Sequence, residues 1–126
     1  MITDDDIATL GRAWISYTAG GDEEDLWAVG AVDDWVNGGQ LDVAWRLVLA
    51  LCSEVDADDL KMIANIGAGP VENMITNFGN PALDLIESAV ATNLTLLRAV
   101  AMVWGWDEPE RERVDRLLAD HKQERL

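Results

Sequence analysis

The chain is predicted to be all-α: a compact single-domain bundle of about seven to eight short helices. Three observations predict this. Apolar residues recur at spacings of three and four along most of the 126 residues. Acidic clusters stand just ahead of several apolar runs, where a helix dipole favours anions, and Gly or Asn follows where helices stop. Strand formers are scarce, with one Tyr, one Phe and scattered Thr. Successive helix pairs at loosely similar spacing also admit a short solenoid-like stack of helix pairs, although there is no clean internal repeat.

The first helix is predicted over residues 4–17. Thr3 is a good N-cap, Asp4, Asp5 and Asp6 suit the first turn, and Ile7, Leu10, Trp14 and Tyr17 follow at helical spacing. Gly20-Gly21 ends it. The second, over 22–37, opens on Asp22-Glu23-Glu24-Asp25. It carries two apolar rows, Trp27/Ala31/Trp35 and Leu26/Val29/Val32/Val36, a surface wide enough for contact on more than one side. Asn37-Gly38-Gly39 is its stop signal. The third, over 41–53, is apolar almost all round, interrupted by Asp42 and Arg46, and is predicted to be central.

A fourth helix is expected over 57–66 after Asp56-Ala57-Asp58-Asp59, and a fifth from Pro70 to about residue 78. Asn77-Phe78-Gly79-Asn80-Pro81 closes the fifth and starts a sixth, over 81–91. The seventh, over 94–104, is again almost wholly apolar, broken by Thr95 and Arg98. Asp107 and Glu110 have capping-box spacing ahead of an eighth, over 108–121, whose core face is Val114, Leu117 and Leu118. The whole chain, 1–126, reads as one domain, with residues 120–126 expected to fray.

Composition narrows the function classes. The formal net charge is -15. Residues 1–66 hold 14 acids against 3 bases, and residues 67–126 hold 10 against 6. Such a field repels nucleic acid and anionic lipid and favours a basic protein partner, or serves solubility. The acidic start, Met1-Ile2-Thr3-Asp4-Asp5-Asp6, does not suit a signal peptide, and no apolar run approaches the roughly 20 residues of a membrane span. Cys52, the single cysteine, has no internal disulfide partner and sits in an apolar run as a small core residue. A cytoplasmic protein without membrane contact is expected. The six Trp residues bring large apolar area and indole N–H groups that seek partners.

The most specified local chemistry is Gly67-Ala68-Gly69-Pro70-Val71-Glu72. Pro70 suits a first helical position, Glu72 suits the third, and Gly67 and Gly69 permit a sharp turn or a close backbone approach. The segment is expected to be a structural junction between helices. Arg46, Arg98 and Glu87 each interrupt apolar helices, and buried charges must be paired. Arg46 is therefore expected to meet Glu72 or Glu87, beside any local contact with Asp42, giving a polar junction or a pocket with Trp45 as a wall.

Enzyme signatures are poor. The only His, His121, lies near the tail, so neither a Cys–His pair nor a soft metal cluster is available. The Asp runs lack calcium-loop spacing, and no glycine cluster makes a phosphate loop. No cofactor or metal is expected.

Ala68-Gly69-Pro70-Val71-Glu72-Asn73-Met74-Ile75, then Gly79, Ile86-Glu87-Ser88-Ala89 and Val103-Trp104-Gly105 stand in an order that resembles a small bacterial all-helical family of unknown function. That family's pattern is A-G-P-[LV]-E, a glycine after the helix, I-E-x-x-A and V-W. Leu10-Gly11-Arg12-Ala13-Trp14-Ile15 and Ala44-Trp45-Arg46-Leu47 are similar to it too, so the resemblance spans most of residues 8–118. It highlights Trp14, Trp45, Arg46, Gly69, Pro70, Glu72, Glu87 and Trp104, and implies a small helical domain with no established activity. Asn37-Gly38-Gly39-Gln40 replaces the more usual proline-containing link before the third helix.

Three functions compete at this point. The first is a non-catalytic protein-binding or inhibitory module, immunity-like, acting on a basic partner. The second is a structural or self-associating scaffold domain. The third is an enzyme using a Glu72/Glu87 carboxylate pocket, which needs those acids to share a cleft. The oligomeric state is left open.

Overall fold

In a computed structural model, which describes residues 2–21, 23–103 and 110–126, the chain begins with an N-cap. Thr3 Oγ1 accepts from the Asp6 N–H at 3.1 Å, and Asp6 Oδ2 accepts from the Thr3 N–H at 3.1 Å. This reciprocal box starts α1 (Asp4–Thr18). A 3₁₀ turn (Glu23–Asp25) precedes α2 (Trp27–Asn37), so the acidic stretch expected in the second helix stands ahead of it. Then follow α3 (Leu41–Ser53) and α4 (Leu60–Ile66).

The fourth helix starts later than the sequence predicts, for two reasons. Asp59 caps it, accepting from the Met62 N–H at 3.2 Å. Arg98 holds the preceding turn, donating to the Ala57 carbonyl at 2.5 Å and to Asp58 Oδ1 at 3.0 Å.

Gly67–Glu72 is where sequence and structure part most. A junction with a helix start at Pro70 is expected, but the chain stays helical. A π-helical turn (Gly67–Val71) joins α4 directly to α5 (Glu72–Phe78). Proline inside a helix removes a hydrogen bond and crowds the preceding turn, and its Cδ normally clashes with the Cβ of the residue before it. Here that residue is Gly69, which has no Cβ, and the widened turn gives the ring room. Glu72 therefore faces no free helix N-terminus: its own N–H donates to the carbonyls of Gly67 and Gly69.

Gly79, at φ 62° and ψ -132°, turns the chain into α6 (Asn80–Ala89). That conformation is essentially closed to residues with a Cβ. A 3₁₀ turn (Val90–Thr92) leads to α7 (Leu94–Ala101), capped by Asn93 Oδ1, which accepts from the Leu96 N–H at 3.0 Å. The last helix is α8 (Glu110–Asp120). Trp104 and the Asp107 half of the expected capping box lie outside the described residues. With α4, the π-turn and α5 taken as one continuous helix, the described residues form seven helices and no strand.

The core is organised on α3. Its residues Val43, Leu47 and Leu51 form one buried row and Ala44, Val48 and Cys52 another, so two adjoining faces are covered. It touches α1, α2, α4, α5, α6 and α7. A solenoid, in which each pair meets only its neighbours, is thereby replaced by a compact bundle. On α7 every residue except Leu94 and Arg98 is buried, and buried Thr95 donates from Oγ1 to the Val55 carbonyl at 3.3 Å. The expected frayed tail, 120–126, instead folds back. Leu126 N–H donates to the Ala101 carbonyl at 2.9 Å, and Arg125 bonds Asp115 at 2.5 Å as well as the Val103 carbonyl.

Candidate functional site

The polar junction expected from the sequence is not assembled. Arg46 pairs with Asp4 at the start of α1, not with Glu72 or Glu87. Arg98 is occupied by Ala57 and Asp58. Glu87 is exposed on α6 and is gripped by Arg113 of α8, with Nε to Oε1 at 2.9 Å and Nη2 to Oε2 at 3.1 Å. Among the described residues Glu72 makes no side-chain hydrogen bond or ion pair.

No such pairing is required, because none of these charges is fully buried. Long side chains on apolar helices lay their stems along the core and keep their heads near water, and the Arg46 and Glu87 side chains retain 36% and 43% of their exposure. Trp45 is half-buried against the core. Trp14 and Pro70 are buried within the fold, and Gly67 lies against α7. None of Arg46, Trp45, Glu72, Glu87 or Arg98 lines any of the three clefts that border α1 and its neighbours.

Chemistry elsewhere is equally spare. Burial pushes the Cys52 thiol up to about 12, so a thiolate nucleophile is not available at neutral pH. Among the described residues no three His, Cys, Asp or Glu side chains come together as a metal site. None of their helices is long and apolar enough to cross a membrane.

Two concavities flank α1. The first, a furrow of about 650 Å³, runs past Tyr17, Gly20-Gly21, Glu23 and Asn65. It continues into a smaller hollow of about 300 Å³ beside Asp59 and Lys61. Its lining is mixed in charge.

The second is the better-defined site. Capping at Thr3 fixes the first turn of α1, which sets Ile2, Asp6, Thr9 and Leu10 along one side of a cleft of about 480 Å³. The opposite side is Trp27, Ala31 and Trp35, spaced four apart on α2. The core row of α2 is Ala28, Val32 and Val36, one residue further round, and its burial aims the Trp row into the cleft. Trp27 keeps 55% of its surface exposed, an unusual state for the largest apolar side chain. Ala31 between the two indoles leaves the cleft its depth.

The cleft carries negative charge and no base. Hydrogen bonds from the Thr3 backbone and then its hydroxyl hold the Asp6 carboxyl below the ordinary value of 3.8. Next to the lining, α1 carries exposed Asp5 and Arg12, four before and three after Thr9, and α2 carries exposed Asp34, three after Ala31. The arrangement is an apolar slot framed by indoles, with the Asp6 carboxylate and the Thr9 hydroxyl as polar groups in its lining.

The Trp27/Ala31/Trp35 row is legible in the sequence as a second apolar face of α2, but its partner residue Ile2 is not. Only the position of α1 reveals which part of that face remains open. No curated protein and no solved structure matches the chain. A family covering most of the chain agrees with the motif resemblance at the level of a family of unknown function, and with its profile matching residues 16–122, the chain belongs to the family of unknown function DUF6869.

Proposed function

We propose that this protein is a non-catalytic protein-binding module that captures a basic partner, in the manner of an inhibitory or immunity-like protein. The observation that carries this reading is the cleft between α1 and α2, where the Trp27 and Trp35 indoles frame an apolar slot whose lining contains Asp6 and no base. Trp is enriched, with Tyr and Arg, among the residues that anchor protein interfaces. The net charge of -15 would steer a cationic partner toward it and raise the association rate, with a strong dependence on salt.

The carboxylate-pocket alternative lacks geometry, since Glu87 is engaged by Arg113 and neither Glu72 nor Glu87 lines a described cleft. A cytoplasmic setting suits the single buried cysteine.

The test is titration of the protein with a Lys-rich peptide bearing one Leu or Phe anchor, followed by Trp emission at low and high salt. The expected result is saturable quenching that weakens by at least about tenfold across that salt change, and that Trp27→Ala abolishes. Absence of binding at low salt would rule the reading out.

A further inference from the structure

Resting on that reading, we infer that the segment entering the α1–α2 cleft is an amphipathic helix with an apolar stripe flanked by Lys or Arg. The cleft is a groove between two helices. The row Trp27, Ala31, Trp35 runs eight residues along α2, and the facing wall runs from Ile2, just ahead of α1, to Leu10 within it. At about 1.5 Å per residue the α2 wall is about 12 Å long, a little over two helical turns. Rows of residues four apart are the ridges into which another helix packs its own.

The chemistry of the walls selects against an extended ligand. Apart from Ile2 and the first turns, both walls are helical, so most of their backbone groups are committed within α1 and α2. The lining adds only the Asp6 carboxylate, the Thr9 hydroxyl and the two indole N–H groups as polar side-chain partners. An extended peptide burying its backbone here would leave most N–H and C=O groups unpaired, which is costly. Among the described residues no strand offers an edge for β-addition. A helix arrives with its backbone already bonded and needs only an apolar stripe.

Charge then fixes what borders the stripe. Asp6 is the one charged side chain in the lining of the groove. A ligand helix with Lys or Arg beside its apolar row meets that carboxylate. A second copy of this chain would instead bring another net charge of -15 against it.

The experiment uses three labelled peptides of about 14 residues, followed by fluorescence anisotropy and circular dichroism at about 150 mM salt. One carries Leu at helical spacing among Lys. Its isomer has the same composition with Leu at alternate positions. The third replaces Lys by Glu. Expected is that the helical Leu/Lys peptide binds at least about tenfold tighter than its isomer, gains helix on binding, and loses that advantage on Trp27→Ala. Because Trp27 is largely exposed, a thermal melt of the variant checks that it is folded; Ala31→Trp, which fills the groove from its floor, is the second block.

Equal binding by helical peptide and isomer, with both lost at high salt, would overturn the helical docking and leave basic capture standing. Undiminished binding to both variants would move the site elsewhere and overturn it too. Failure of both basic peptides to bind even at low salt would remove the underlying reading itself. Binding by the Glu peptide would overturn the charge argument.

Discussion

A Cβ built on Gly67 would lie 2.3 Å from the carbonyl oxygen of Ala99 and 3.2 Å from its carbonyl carbon. The π-turn and α7 therefore meet backbone to backbone, with no side chain between them. The same turn houses Pro70 and binds α4 and α5 into one continuous helix against α7. Gly67 fixes the distance at which that helix rests on the most buried rod of the fold.

From this contact follows the sharpest stability prediction. Gly67→Ala drives a methyl group into backbone that cannot rotate away, an overpacking cost of about 1–3 kcal/mol or more. Gly69→Ala, two residues on, meets nothing within 4 Å and has a negative φ. There the lower backbone entropy of the unfolded chain favours the variant, and the clash that alanine restores before Pro70 opposes it. Urea denaturation should therefore show a large loss for Gly67→Ala and a change within about 1 kcal/mol for Gly69→Ala. Equal losses at both sites would mean that the turn, not the approach to Ala99, sets the requirement.

Arg113 is the second lever. It reaches from α8 to Glu87, to Asp84 at 2.5 Å and to the side-chain and main-chain oxygens of Asn80, all on α6. The acids are substantially exposed, so solvent screens these pairs and Arg113→Ala should cost only about 1 kcal/mol. Its pH dependence is more diagnostic. The Arg113 hydrogen bond holds the Glu87 carboxyl below its ordinary 4.5. A depressed carboxyl stabilises the fold at pH values above its unfolded pKa, and that stabilisation disappears as pH falls through the folded value. The stability gap between wild type and Arg113→Ala should thus be full near neutrality and shrink below pH 4.5. A gap that stays constant down the acid limb would show that the clamp acts by packing alone.

How much of this was legible in the sequence depends on whether neighbours in the chain or in space decided the outcome. Thr3 with its acidic turn, the limits of α3 and the buried rows of Val114, Leu117 and Leu118 follow from local periodicity and capping, and they appear where expected. Pro70 misleads because Gly69 relieves the steric conflict that would have placed a helix start there. Arg46 and Glu87 mislead because an arginine or glutamate within an apolar run looks buried, while its head group lies several bonds away at the surface. The cleft was half visible: the Trp27/Ala31/Trp35 face is periodic, but its openness depends on where α1 lies, and no local pattern encodes that.

Cys52 offers a probe of the core. It is buried on α3 with its thiol pushed up to about 12 by desolvation. Reaction with an aromatic disulfide reagent at neutral pH should be negligible in the folded protein and should appear with global unfolding, because the thiolate is the attacking species. Labelling rates across a urea series should track the unfolded fraction. Rapid labelling in the absence of denaturant would show that α3 opens locally, contrary to its central place in the bundle.

The last prediction concerns self-association, which an exposed Trp27 would ordinarily invite. Two copies meeting at the cleft would bury indoles but would also bring the Asp6 carboxylates of both chains together, within a pair of molecules that each carry -15. The repulsion is spread over the whole surface and is strongest at low ionic strength, where the Debye length is longest. Light scattering at low salt should therefore give the mass of one chain, 13.8 kDa, across a wide concentration range. Raising the salt screens the charge while leaving the indoles apolar, so any weak dimer should appear there first and should vanish in Trp27→Ala. A stable dimer at low salt would mean that apolar burial at the cleft outweighs the field, and the cleft's natural occupant would then be a second copy and not a basic helix.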